Sequence, residues 1–251
     1  MCLLFGYELA MLPTFIRTSI RKFSSAVPLA MSMQMNKDIP ISIDELLEIH
    51  AQSMASQAFL ARSDHFVMGD DISVLDYGCG DGIVSESLQF NSRSITGVDS
   101  NSDLVNAFNR KFRDRGISSD KLEAHTCIPP DSKFDVIVCT QLLHKLNDVD
   151  GVINTLSQRL NSDGELLIVD YSNQPFSDSA VLNSTFTGEH IDKPSPNTHP
   201  HRHAISSQKV QSAITKAGLI DYSCRPAFLL DYEETGGLSR IPFFIATGLK
   251  K

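Results

Sequence analysis

The chain has 251 residues, 41% of them hydrophobic, and a formal net charge of -8 at neutral pH. One α/β catalytic domain of ordinary size fits that length. No apolar run approaches the length that spans a bilayer, and the acidic balance argues against a nucleic-acid partner, whose phosphates are normally met by a basic face.

The N-terminal segment reads as an address rather than as part of the fold. From Leu9 to Lys37 there is no acid, while Arg17, Arg21 and Lys22 are spread among Leu12, Phe15, Ile16, Ile20 and Phe23 with several Ser and Thr. That is the composition of an amphipathic mitochondrial presequence. Arg21-Lys22-Phe23-Ser24 resembles a matrix-protease site cut after Phe23. Two other readings stand beside it, a disordered basic tail and an upstream extension bypassed by starting at Met31, Met33 or Met35. Residues 1–37 are therefore set apart as a presequence or tail, and residues 38–251 as one domain. Without the first segment the protein is expected in the cytoplasm.

Ser42 and Glu45 form a capping-box pattern, and Ile43, Leu46, Leu47, His50, Met54, Ala58 and Phe59 follow on one helical stripe. That helix is expected to cover the ligand side of a sheet. His50 reads as a packing residue on an apolar face or as a ligand contact.

Residues 74–82 read Val-Leu-Asp-Tyr-Gly-Cys-Gly-Asp-Gly, an apolar strand ending in an acid and then three alternate glycines. Gly78, Gly80 and Gly82 let the backbone turn tightly and approach a ligand where a side chain would collide. In a dinucleotide fingerprint the third glycine falls three residues after the second; Gly82 comes one residue too early. Asp76 and Asp81 would also repel a pyrophosphate, and they suit a sulfonium or an amino group instead. The segment resembles motif I of class I S-adenosylmethionine-dependent methyltransferases, an acid, any residue, then Gly-Cys-Gly, any residue, Gly.

Ser94 to Val98 is a second short strand, closed by Asp99 at the spacing of one strand, turn, helix and strand. An acid at that tip can take both ribose hydroxyls. Ser102 to Arg115 reads as a surface helix with Leu104, Val105, Phe108 and Phe112 inward, stopped by Gly116. Strands are expected at Leu122 to Cys127 and Phe134 to Cys139, a helix at Val149 to Leu160, and a fifth strand at Leu166 to Tyr171 after Gly164. A helix from about Ser207 to Ala217 and strands at Leu219 to Ala227 and Pro242 to Gly248 complete the count. Seven strands, with helices between the first five, make an open and mainly parallel sheet covered on both faces. The final pair without a helix implies one antiparallel strand. This resembles the Rossmann-like methyltransferase fold, strand order 3-2-1-4-5-7-6, over about residues 42–250.

Ligands in such sheets bind outside the carboxyl ends of the strands. After the fourth strand come Thr140, Gln141, Leu142, Leu143 and His144. Leu142 to Leu146 is similar to a Leu-His-His-type phrase in the ubiquinone and menaquinone methyltransferase branch. The Asn/Asp-Pro-Pro-aromatic motif of amide and DNA N-methyltransferases is absent. The resemblance implies cofactor contacts from Asp76, Tyr77, Gly78, Cys79, Gly80 and Gly82 in the loop. It adds Asp99 and Ser100 after the second strand, Thr126 after the third and Gln141 after the fourth. The acid that relatives carry after the third strand, facing adenine, is replaced here by His125-Thr126-Cys127-Ile128-Pro129.

Cys79 is one of five cysteines, with Cys2, Cys127, Cys139 and Cys224; none forms a Cys-x-x-Cys pair, so no zinc knuckle or disulfide framework is expected. The long connection from Tyr171 to Ala204 holds four prolines and His190, His199, His201 and His203, and its position over the strand ends suggests a lid-like insertion at about 172–204. His201-Arg202-His203-Ala204-Ile205 resembles a His-rich phrase of some small-molecule methyltransferases. Its histidines have three readings: a proton acceptor, most plainly His203 or His201; a divalent-metal set with Asp170; or solvated rings of a polar loop. No metal site is assigned. The function expected is methyl transfer from S-adenosyl-L-methionine to a small-molecule acceptor with an oxygen, carbon or sulfur nucleophile, with His144, His203 and His201 as candidate bases. The alternative is a methyltransferase-like mitochondrial assembly or scaffold factor without turnover.

Overall fold

A computed structural model describes residues 43–68, 71–173, 182–186, 204–234 and 237–251. The expected presequence, Ser42 of the capping box, and His190, His199, His201 and His203 lie outside the described residues.

Short apolar runs become the central strands because both faces of the sheet are covered there. In chain order they are β1 (Ser73–Tyr77), β2 (Ser94–Val98), β3 (Leu122–His125), β4 (Phe134–Thr140), β5 (Leu160–Tyr171), β6 (Leu182–Phe186), β7 (Ile220–Glu234) and β8 (Gly237–Leu249). They form one sheet in the order β3-β2-β1-β4-β5-β8-β7-β6. Among the described strands only β8 runs antiparallel to its neighbours, β5 and β7. Without β6 this is the expected order 3-2-1-4-5-7-6. β6 is the addition: a strand inside the long connection, pairing parallel with Phe228 to Tyr232 of β7.

The helices are α1 (Ile43–Arg62), α2 (Asp64–Met68), α3 (Ile83–Leu88), α4 (Ser102–Asp114), α5 (Val149–Gln158) and α6 (Ser207–Lys216). One face of the sheet, through Val74, Val136, Val138, Leu167 and Val169, packs on α1, α3 and α4; the other, through Leu75, Ile137, Leu166 and Ile168, packs on α5 and α6. Leu47, Met54, Ala58 and Phe59 of the expected α1 stripe are buried, and His50 is half-buried. In α4 the stripe is narrower than expected: Val105, Phe108 and Phe112 are buried while Leu104 is exposed. No helix joins β3 to β4, contrary to expectation. That connection carries Pro129 and Pro130, which supply no N–H to a helical turn and constrain the residues before them.

α3 starts at Gly82, whose φ of +91° is a left-handed conformation. A Cβ there would lie 2.7 Å from the rings of Phe108 and Phe112, so the third glycine is required by both backbone and packing. Gly116 has φ +75° but open space around it. Gly82→Ala is expected to lower unfolding free energy by about 2–5 kcal/mol, and Gly116→Ala by about 1–2 kcal/mol, as measured by urea denaturation.

Candidate active site

β1 and β4 run side by side at the centre of the sheet, Asp76 opposite Val138 and Tyr77 opposite Cys139. Beyond their ends the chain turns twice. After β1, the N–H groups of Gly78 and Cys79 both donate to the Val98 carbonyl, at 2.7 and 3.1 Å, which pins the loop to the end of β2. Gly78 and Gly80 have φ of +84° and +54°. A Cβ on Gly78 would approach Leu142 to 2.9 Å, so the loop after β4 lies against this turn, whereas a Cβ on Gly80 would meet nothing within 4 Å. Gly80 therefore leaves an open backbone surface, as a ligand cradle requires.

Asp76 is 1% exposed. Its Oδ2 accepts a hydrogen bond from Ser85 Oγ at 2.7 Å, while Oδ1 is buried without a donor among the described residues. Burial raises its pKa to about 6, against the opposing Ser85 bonds and with a smaller push from Asp99. Ser85 was not anticipated. It sits one turn into α3, where a small hydroxyl facing back toward the acid is the signal. Asp99 Oδ2 accepts from Gly80 N–H at 3.1 Å and Oδ1 from Asn101 N–H at 2.9 Å. Each carboxylate oxygen has a further lone pair for a ligand hydroxyl. Burial, Asp76 and Asp99 together push the Cys79 thiol up, so it stays protonated in the loop wall.

Two more buried oxygens lack donors among the described residues, Thr140 Oγ1 and Gln141 Oε1, at the tip of β4. Gln141 is 2% exposed and holds a left-handed φ of +51°. Its N–H donates to the Val169 carbonyl at 2.9 Å and its Nε2 to Tyr171 Oη at 2.8 Å. Three orphan acceptors at two adjacent strand tips suit a ligand group rich in donors, such as an ammonium, because an unmade bond costs about 1–3 kcal/mol each. Tyr77 is half-buried and Ser100 and Thr126 are exposed, all three at strand ends beside the loop.

Past Gln141 a short 3-10 turn, Leu143–Lys145, carries His144. The His144 side chain is 4% exposed, and its Nδ1 lies 2.6 Å from Oδ1 of the fully buried Asp170. A carboxylate accepts, so Nδ1 donates and Nε2 is the basic nitrogen; no hydrogen bond reaches it among the described residues. Oδ2 of Asp170 also accepts from the His144 N–H at 3.2 Å. The Tyr171 ring stands edge-on to the imidazole at 4.7 Å. The pairing was hidden by a separation of 26 residues, although an acid closing the apolar run of β5 is its visible trace. His144 lines a cleft of about 290 Å³ with Leu143, Leu146, Ile205, Ser206 and Lys209. Among the described residues no group of His, Cys, Asp and Glu could hold a metal ion.

Because the folded pKa of Asp76 is raised, its contribution to stability is full below its unfolded pKa near 4 and is lost as pH rises through about 6. Asp76→Asn should therefore gain about 3 kcal/mol relative to the unaltered protein between pH 4 and pH 7, read as the difference between their denaturation curves.

A methyltransferase-domain family model matches residues 41–222. An uncharacterized methyltransferase of Schizosaccharomyces pombe is 31% identical over 127 residues, 47% of this chain and 45% of its own length. A ubiquinone biosynthesis O-methyltransferase of Aeromonas salmonicida is 26% identical over 59% of this chain and 62% of its own. The chain thus spans about half of the first of these relatives and less than two thirds of the second. In fold it resembles a SAM-dependent methyltransferase from Aquifex aeolicus, with TM-score 0.51 and 17% identity over 80% of this chain and 98% of that one. With a family model covering most of the domain and the strand order that goes with it, the chain belongs to the class I S-adenosylmethionine-dependent methyltransferases.

Proposed function

We propose that this protein moves the methyl group of S-adenosylmethionine to an oxygen, carbon or sulfur nucleophile of a small-molecule acceptor, with His144 as the base. The observation that carries the reading is the set of buried, donorless oxygens of Asp76, Thr140 and Gln141 beside a glycine turn with open space over Gly80. Those residues fit a ligand that brings an ammonium to the strand tips and a nucleoside to the loop. Asp99 takes the ribose hydroxyls; Gly80 allows close approach, while Gly78 and Gly82 make the turn that presents it; Tyr77, Cys79, Ser100 and Thr126 wall the nucleoside side.

The bound cofactor supplies an already activated methyl group, so the protein's share is alignment, exclusion of water and removal of a proton. Asp170 holds Nδ1–H of His144 and orients the ring, leaving Nε2 to take the acceptor proton as the nucleophile–carbon bond forms. The cleft beside His144, with Leu143, Leu146 and Ile205 in its wall, is of a size for a small acceptor. His203 and His201 remain candidate bases in the segment outside the described residues.

In calorimetric titration Asp99→Ala should weaken S-adenosylmethionine binding by about 100-fold with the fold intact by circular dichroism. Unchanged affinity would end the ribose assignment. His144→Ala should leave cofactor affinity within a few-fold while cutting methyl transfer by about 100-fold or more, and Asp170→Asn should cut it by at least about tenfold. Cofactor binding with no methylated product from any acceptor would favour the scaffold reading instead. Residues 1–37 are proposed to direct the protein to mitochondria; a reporter carrying them that stays in the cytosol would refute this.

A further inference from the structure

We propose that the methyl acceptor carries a carboxylate, held by Lys209 and the N-terminus of α6 in the cleft that His144 lines. The inference names the acceptor class for the methyl-transfer reading above and rests on it. α6 is ten residues long, and the first turn of such a helix leaves backbone N–H groups without partners and a partial positive charge. Ser206 Oγ satisfies one of them, accepting from the Lys209 N–H at 3.2 Å. Those of Ser207 and Gln208 meet no acceptor among the described residues. No acid stands in that turn, and Lys209 adds a full positive charge where a helix prefers a negative one. Positive charge gathered twice at one helix end is a local cost that an anionic ligand removes.

Lys209 is exposed, and no carboxylate among the described residues pairs with it. Asp148 and Asp150 share a neighbouring cleft with it, but both are engaged. Asp148 Oδ1 accepts from the Gly151 N–H at 2.8 Å, and Asp150 Oδ2 pairs with Lys216 Nζ at 2.6 Å. Asp170 is engaged as well, by Nδ1 and the N–H of His144 and by the Tyr171 N–H. A second, independent sign of a ligand comes from His144. Its side chain is 4% exposed, Nε2 has no partner among the described residues, and the ring stands in one wall with Ser206 and Lys209. Leu143, Leu146 and Ile205 line the same space. A single acceptor meets these groups together: its reacting end at His144, an apolar body against the three aliphatic side chains, and an anion at Lys209. One cation and two free N–H groups match the single charge and two oxygens of a carboxylate. A phosphate dianion would bring a second negative charge beside Asp148 and Asp150.

The test follows the backbone amide resonances of the full chain, saturated with S-adenosylhomocysteine, during titration with each monohydroxybenzoate, the matching hydroxybenzamides and phenyl phosphate. At least one of the acids should move the resonances of Ser206 to Lys209 and bind at least about tenfold more tightly than its uncharged amide. Lys209→Gln should remove most of that preference while the affinities for the amide and for S-adenosylhomocysteine stay within about twofold, the latter also reporting that the variant is folded. An amide bound as tightly as its acid, a preference that survives Lys209→Gln, shifts confined to other surfaces, or no binding by any of the acids would overturn the proposal. Tighter binding of phenyl phosphate than of every acid would overturn it in favour of a phosphate. S-adenosylhomocysteine is titrated alone as well. If it does not bind, the cofactor reading fails and the cleft loses its role as an acceptor site, whatever the acids do.

Discussion

The parallel pairing of β1 with β4, each buried on both faces, decides where chemistry can happen in this molecule. Val74, Leu75, Val136, Ile137 and Val138 are 0% exposed, so the middles of the central strands admit no polar side chain. At their carboxyl ends polar groups are crowded into the last strand residues and the turn just past them, where helices on either side still exclude water. Asp76, Thr140, Gln141 and Asp170 are all buried there. Their hydrogen-bonding needs are met sparsely, and what the protein leaves unmet defines what it is shaped to bind.

Charge at the loop is arranged in two layers. Asp76 and Asp99 stand at the carboxyl ends of β1 and β2, while Asp81 and Glu86 are drawn outward by Lys111, whose Nζ lies 3.8 and 3.0 Å from them. Burial would raise the Glu86 pKa, but bonds from Arg115 and Lys111 hold it below the ordinary carboxylate range. The outer acids are neutralised by this pairing, which leaves the inner two to set the local field. A site with two uncompensated acids attracts a cationic ligand and penalises a phosphate.

Much of this was legible in the residues themselves. The glycine turn, the acid closing β2 and the alternation of strands and helices are local patterns, and local patterns survive folding. What stayed hidden depends on contacts between distant residues. Nothing near His144 announces Asp170, and nothing near Asp76 singles out Ser85 from other hydroxyls. The left-handed backbone of Gln141 is invisible because glutamine carries no preference for it. β6 was missed for a different reason: five residues within a connection rich in proline and histidine carry too little pattern to stand out, and the edge of β7 is what gives them a partner. The helix wrongly expected between β3 and β4 came from extending a regular alternation past two prolines.

The connection after β5 has a closed neck. Ser172 forms a parallel bridge with Ile205, and Ile205 N–H donates to the Tyr171 carbonyl at 3.3 Å, so the chain leaves and re-enters the sheet at one point. A segment joined in this way can lengthen, shorten or change composition with little effect on the strands that hold Asp76, Gln141 and His144. Evolution can therefore alter what lies between Ser172 and Ile205 while the strand tips that carry Asp76, Gln141 and His144 are preserved.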